Sequence, residues 1–120
     1  MIEFDNNIPV YIQILNFLKE KIVKRDLKEG DKMPSVRELA KELKVNPNTV
    51  QRAYKDLESS NIIFTKRGMG SFVTEDKLKI NDLREDLAKE IILEFSTRMK
   101  NMGFNKEEMI EVINSFVEGD

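Results

Sequence analysis

A chain of 120 residues, 40% hydrophobic and 35% charged, can build one compact domain plus an appendage but not two independent cores. It contains no cysteine and no histidine, which removes thiol nucleophiles, disulfides, imidazole bases and the usual zinc and copper ligands. Its 22 acidic residues are scattered among 20 basic ones in the manner of solvated helix faces, so an enzyme built on paired carboxylates is rejected and no cofactor or metal is expected.

No apolar run approaches the roughly 20 residues that span a bilayer, and Met1-Ile2-Glu3-Phe4-Asp5 is not a signal peptide. A cytoplasmic protein with no membrane partner is the expectation. The formal net charge of -2 is unevenly spread. Between Lys32 and Val73 eight basic side chains stand against four acidic ones, whereas from Leu78 to Asp120 ten acidic face six basic. A basic middle and an acidic tail are expected where one part meets phosphate and the other stays away from it.

In chain order, Pro9 suits an opening turn, and Tyr11, Ile14, Leu15, Leu18 and Ile22 recur at helical spacing until Gly30-Asp31 breaks the pattern. Ser35 with Glu38 three residues on forms a capping box ahead of a stripe of Val36, Leu39, Ala40 and Leu43. Asn46 is a good N-cap and Pro47 fits the first helical position. Val50, Ala53, Tyr54 and Leu57 then repeat the stripe, which makes Tyr54 a core residue. With only Lys44-Val45 between them, these two short helices must cross steeply as a helix-turn-helix. The β-prone runs Ile62-Thr65 and Ser71-Thr74 flank Lys66-Arg67-Gly68-Met69-Gly70 and predict a hairpin with a basic tip, a wing.

The tail helix is expected to begin near Asn81 or Asp82. Leu83, Leu87, Ile91, Phe95 and Met99 mark its apolar face, widened by Ala88 and Ile92, and Gly103 stops it. Asn105 with Glu108 starts a last helix carrying Met109, Ile110, Ile113, Phe116 and Val117. Two such helices cannot enclose a core alone, and a two-fold homodimer is the commonest remedy. The fold expected is mostly α with a small β-hairpin: a winged helix-turn-helix DNA-binding domain over residues 1–76, then a two-helix dimerisation tail over residues 77–120. The dimerisation residues are taken to be Leu83, Leu87, Ile91, Phe95, Met109, Ile113 and Phe116. Phe104 and the methionines Met99, Met102 and Met109 either fill packed interfaces or line an adaptable site for a small-molecule effector.

The segments from Leu27 to Ala40, including Gly30-Asp31-Lys32-Met33-Pro34-Ser35-Val36-Arg37, from Val45 to Glu58, including Asn46-Pro47-Asn48-Thr49-Val50, and from Lys66 to Val73 together resemble the GntR family of bacterial transcription regulators. The Asn-Pro-Asn-Thr-Val stretch and the short tail are similar to its YtrA subfamily. The resemblance implies a dimeric regulator, usually a repressor, on an inverted-repeat operator in double-stranded DNA. Carried over by position, the family's DNA contacts fall on Arg37, on Asn46, Asn48 and Thr49, and on Arg67 and Gly68. The sequence departs from some relatives in having no basic residue directly after Val45 and in having Gln51 where others have Arg, so base preferences do not transfer.

The residues themselves support that chemistry. The second helix of a helix-turn-helix presents its N-terminal half to the major groove, and Asn48, Thr49, Gln51, Arg52 and Lys55 are its outward side chains. Asn and Gln pair with adenine, Arg with guanine, and Thr touches a thymine methyl or a phosphate. Ser35 adds a backbone N–H for phosphate beside its capping duty, and Lys66 with Arg67 arms the wing, whose Gly68 and Gly70 permit a tight turn. The competing reading is a winged-helix adaptor for another protein, which the net negative charge would suit and which salt-dependent DNA binding would exclude.

Overall fold

The structure, a computed structural model, describes residues 2–119. Five helices and one hairpin follow in the order α1 (Val10–Val23), α2 (Val36–Leu43), α3 (Pro47–Ser59), β1 (Ile63–Lys66), β2 (Gly70–Val73), α4 (Lys77–Asn101) and α5 (Lys106–Phe116). The chain divides into two compact units, Met1–Arg84 and Glu85–Asp120.

In the first unit, α1 opens at Pro9, whose carbonyl accepts from the N–H groups of Ile12 and Gln13. Gln13 in turn anchors the preceding arm. Its side chain accepts from the Asp5 N–H at 2.8 Å and donates to the carbonyls of Asp5 at 2.7 Å and Ile8 at 2.8 Å. The expected end of this helix at Gly30-Asp31 is corrected: it ends at Val23. Arg25 takes a left-handed conformation (φ 70°), and the N–H groups of Arg25 and Asp26 fold back onto the carbonyls of Ile22 and Lys21. This is the Schellman closure usually made with glycine.

Both capping predictions for the helix-turn-helix hold. The Ser35 hydroxyl accepts from the Glu38 N–H and the Glu38 carboxylate accepts from the Ser35 N–H, each at 3.1 Å. Asn46 caps α3 through the Asn48 N–H at 2.8 Å, with Pro47 in the first turn. Between the helices Lys44 is left-handed (φ 57°), which lets α2 stop and α3 start within three residues.

The strands pair antiparallel, with Ile63 opposite Val73 and Lys66 opposite Gly70, one residue away from the expected boundaries on each side. The segment before α2 joins them. Lys32 bridges Phe72, the Met33 N–H donates to the Ser71 carbonyl at 2.7 Å, and the Gly30 N–H donates to the Val73 carbonyl at 3.0 Å. Nothing periodic in Gly30-Asp31-Lys32-Met33 announces that third partner.

Ile14, Leu18, Ile22, Val50, Leu57, Ile63 and Val73 are fully enclosed, so α1, α3 and the hairpin share one core. Full burial of such side chains contributes about 1.5–3 kcal/mol each relative to exposure. Among the described residues no polar or charged side chain is buried.

The tail helix starts earlier than its sequence suggests, at Lys77 rather than Asn81 or Asp82, with the Asp76 carboxylate accepting from the Leu78 N–H at 3.0 Å. Ile80 and Leu83 are buried and belong to the first unit. In the second unit Gly103 (φ 90°) ends α4 as expected, and Asn105 and Glu108 form a reciprocal capping box at 2.9 and 3.0 Å. Met99 and Met109 are buried there, Leu87 and Phe95 half-buried. Leu83 and Met109, expected on a dimerisation face, are thus core residues of their own units. Of the other expected dimerisation residues Ile91 (65%), Ile113 and Phe116 (83%) are exposed, as are Ile92 (55%), Leu93 (65%), Met102, Ile110 and Val117 of the same unit.

Candidate nucleic-acid interface

The inward stripe of α3 fixes what the opposite face presents. With Val50, Ala53, Tyr54 and Leu57 buried, Asn48, Gln51, Arg52 and Lys55 are exposed and Thr49 is half-buried at the flank. Tyr54 confirms its core assignment. Its hydroxyl donates to the Pro34 carbonyl at 2.5 Å, and burial, with the Glu38 carboxylate as a smaller cause, pushes its pKa well above the ordinary tyrosine value.

Arg37 is exposed one position inside α2, and the described ion pairs, Lys24–Asp26 and Arg25–Glu29, both lie in the loop after α1. The salt bridge to Glu38 or Glu42 that offers the ordinary explanation of such an arginine is therefore not formed. Glu38 is engaged instead with Ser35: chiefly the Ser35 backbone N–H, then its hydroxyl, with Lys32 adding attraction, hold the Glu38 carboxyl below the usual carboxylate range.

Two predicted contact residues carry a prior structural load. The Ser35 hydroxyl and the Asn46 side-chain oxygen both accept the N-cap hydrogen bonds of their helices. For Asn46 the cap occupies one lone pair of that oxygen and fixes the plane of the amide, so a base it meets must match that orientation with the amide N–H groups and the remaining lone pair.

At the wing, Phe64 and Phe72 stack with centroids 5.8 Å apart, and the Lys66 ammonium sits 4.8 Å from the Phe72 ring and 5.6 Å from Phe64. The aromatic pair thereby holds a positive charge at the base of the tip. Arg67 is exposed beyond it, and Gly68 (φ 77°) turns the chain with open space where a Cβ would stand. Gly70 (φ 104°) differs, because a Cβ there would come 3.1 Å from the Lys32 side chain. Lys32 is thus a basic residue at the wing that its sequence context does not reveal.

A second residue escapes sequence reasoning. Tyr11 falls on the helical stripe of α1 and reads as core, yet it is only half-buried and its ring faces the Arg52 guanidinium, with 3.7 Å from Cζ to the ring centroid. Pro9, Val10 and Tyr11 line a cleft with Asn48, Thr49 and Arg52. Arg52, Asn48 and Thr49 are therefore brought together against α1, whereas Gln51 lies on another side of α3 and lines no part of that cleft.

Among the described residues there is no cluster suited to a metal ion, and no helix is long and apolar enough to cross a membrane. A short turn between two helices, a polar outward face on the second and a basic hairpin beside them define a winged helix-turn-helix DNA-binding regulator. Residues 10–73 match the family model of bacterial regulatory proteins, gntR family, and the chain belongs to that family. It is 42% identical over 117 residues to the HTH-type transcriptional regulator YhcF of Bacillus subtilis, covering 98% of this chain and 97% of YhcF. It is 49% identical over 78 residues to the HTH-type transcriptional repressor YtrA of the same organism, covering 63% of this chain and 60% of YtrA. Among solved structures, a GntR family transcriptional regulator from Listeria monocytogenes matches with a TM-score of 0.90 and 45% identity, over 96% of this chain and 100% of that one. YtrA from Sulfolobus acidocaldarius matches with a TM-score of 0.56 and 32% identity, over 96% and 93% of the two chains. The family and these relatives are transcriptional regulators, not enzymes.

Proposed function

We propose that the protein is a cytoplasmic repressor that binds an inverted-repeat operator as a homodimer, each copy reading one half-site. Residues 1–76 act as the reading head and residues 77–120 as the dimerisation tail. The observation that carries the reading is the outward face of α3: Asn48, Gln51, Arg52 and Lys55 are exposed beside the half-buried Thr49, and none of these five side chains donates to another described side chain or pairs with a described acid. Arg37, Lys66, Arg67 and the Gly68 turn supply groove-edge and phosphate contacts around that face, while the Ser35 and Asn46 caps fix the helix ends that approach the backbone.

Dimerisation is inferred from exposed apolar surface. Ile91, Ile92 and Leu93 are consecutive, so they point in different directions around α4, and each is more than half exposed. Together with Phe116 and Val117 on the tail they supply the kind of surface that a second copy covers in two-fold assemblies. The repressor role is suggested by the name of the Bacillus subtilis relative YtrA.

The test is binding of the purified chain to a fluorescent duplex of its own upstream promoter, against a scrambled duplex of equal length, across a salt series. Preference for the promoter by about a thousandfold supports operator binding. Equal, strongly salt-dependent binding to both would refute specificity for that site.

A further inference from the structure

The Arg52 guanidinium lies 3.7 Å from the centre of the Tyr11 ring, yet it forms no ion pair and donates no hydrogen bond to any described residue. A guanidinium held by its face keeps all its N–H donors at the edge of its plane, where a planar acceptor pair such as a guanine edge is met. A long side chain on an exposed helix would otherwise spread over several rotamers and lose that freedom on binding. Tyr11 is itself well fixed, half-buried in the first turn of α1, a helix whose entry is anchored by Gln13 through the Asp5 and Ile8 carbonyls. Asn48 and Thr49 line the same cleft, so the arginine's free edge emerges beside two further polar groups of the reading helix. A clamp serving stability alone would gain from a carboxylate on those donors, and Asp56, four residues on along α3, does not pair with them.

We infer that Tyr11 is a positioning residue for sequence reading: it pre-orients the Arg52 guanidinium, so that α1, which carries no reading side chain of its own, sets the selectivity of α3. The inference rests on Arg52 being a base-reading residue. Tyr11 contributes through its ring face, and its hydroxyl is dispensable.

The experiment selects preferred half-sites from a randomised duplex pool with the full chain, then measures base preference for the wild type, Tyr11→Phe, Tyr11→Leu, Arg52→Ala and the double variant Tyr11→Leu/Arg52→Ala. Expected is a loss of about tenfold in preference at one and the same base pair for Arg52→Ala and Tyr11→Leu. Tyr11→Phe keeps the preference, and Tyr11→Leu adds less than about twofold once Arg52 is absent. Affinity for a scrambled duplex falls in Arg52→Ala but holds in Tyr11→Leu, which keeps the charge. Should Tyr11→Leu prove unfolded by circular dichroism, Tyr11→Met makes the same comparison with an unbranched helix former. A preference profile unchanged in Tyr11→Leu but altered in Arg52→Ala overturns the inference and leaves the base-reading role standing, as do additive losses. An unchanged profile in Arg52→Ala overturns both.

Discussion

The Tyr54 hydroxyl donates to the Pro34 carbonyl at 2.5 Å, tying the middle of α3 to the residue directly before the Ser35 N-cap of α2. One hydrogen bond thereby ties the start of the first helix of the helix-turn-helix, α2, to the second, α3. Tyr54→Phe is expected to cost about 1 kcal/mol, the net value of such a bond, and to lower Tm by roughly 4–8 °C. The pH signature is specific. Because burial raises the folded-state pKa of Tyr54 above its unfolded value near 10, its contribution is present below about pH 10 and is lost as pH rises beyond it. Urea midpoints between pH 8 and 11 should fall in the wild type and fall less in Tyr54→Phe; equal slopes would remove Tyr54 as the cause.

The Ser35–Glu38 box works at the other end of the scale. Ser35→Ala is expected to destabilise the reading head by about 1 kcal/mol. Glu38 has a depressed folded-state pKa, so its contribution is present above the unfolded carboxylate value and is lost as pH falls below it. Thermal scans at pH 7 and pH 3.5 should therefore differ less for Ser35→Ala than for the wild type. The same difference in both proteins would show that the acid sensitivity arises elsewhere.

Arg37→Ala should weaken binding to the promoter duplex by about 1–3 kcal/mol with the helical content unchanged, since its side chain makes no ion pair whose loss could disturb the fold. Lys66→Gln should act differently: a uniform loss across sequences and a salt slope lowered by about one. Fluorescence titrations at several salt concentrations separate the two patterns, and a sequence-dependent effect of Lys66→Gln would contradict its assignment to phosphate.

Ile91→Asp places a charge where a 65% exposed isoleucine now stands. On the dimer reading, the wild type at micromolar concentration has twice the 14.0 kDa mass of the chain and the variant has the single mass. Far-ultraviolet circular dichroism should change little, because Ile91 lies outside the buried set of either unit. Sedimentation showing a monomeric wild type would end the dimer proposal.

What the sequence made legible was local. The caps at Ser35, Asn46 and Asn105 are contacts between residues two or three apart, and the stripe of Val50, Ala53, Tyr54 and Leu57 is one face of one helix, so chain order alone determines them. The early end of α1 was hidden because Arg25, not a glycine, takes the left-handed position. The early start of α4 was hidden because its Asp76 cap is followed three residues on by Lys79 rather than by the glutamate of a capping box, and Ile80 and Leu83 are buried by tertiary packing. On the candidate site, the outward set on α3 follows from the buried stripe. The facing of Tyr11 and Arg52, and of Lys32 and Gly70, joins segments distant in sequence and required the fold.

The core described above holds no charged side chain among the described residues, and the chain has no histidine. Among the described residues the two groups with a shifted pKa lie at opposite extremes, Glu38 lowered on the acid side and Tyr54 raised on the alkaline side. Between about pH 6 and 9 neither of these two groups changes its protonation, so neither makes folding depend on pH in that window. Within that window the Ser35–Glu38 cap and the Tyr54–Pro34 tie keep their protons unchanged, so a change in DNA affinity with pH does not originate in either of these two fastenings of the reading head.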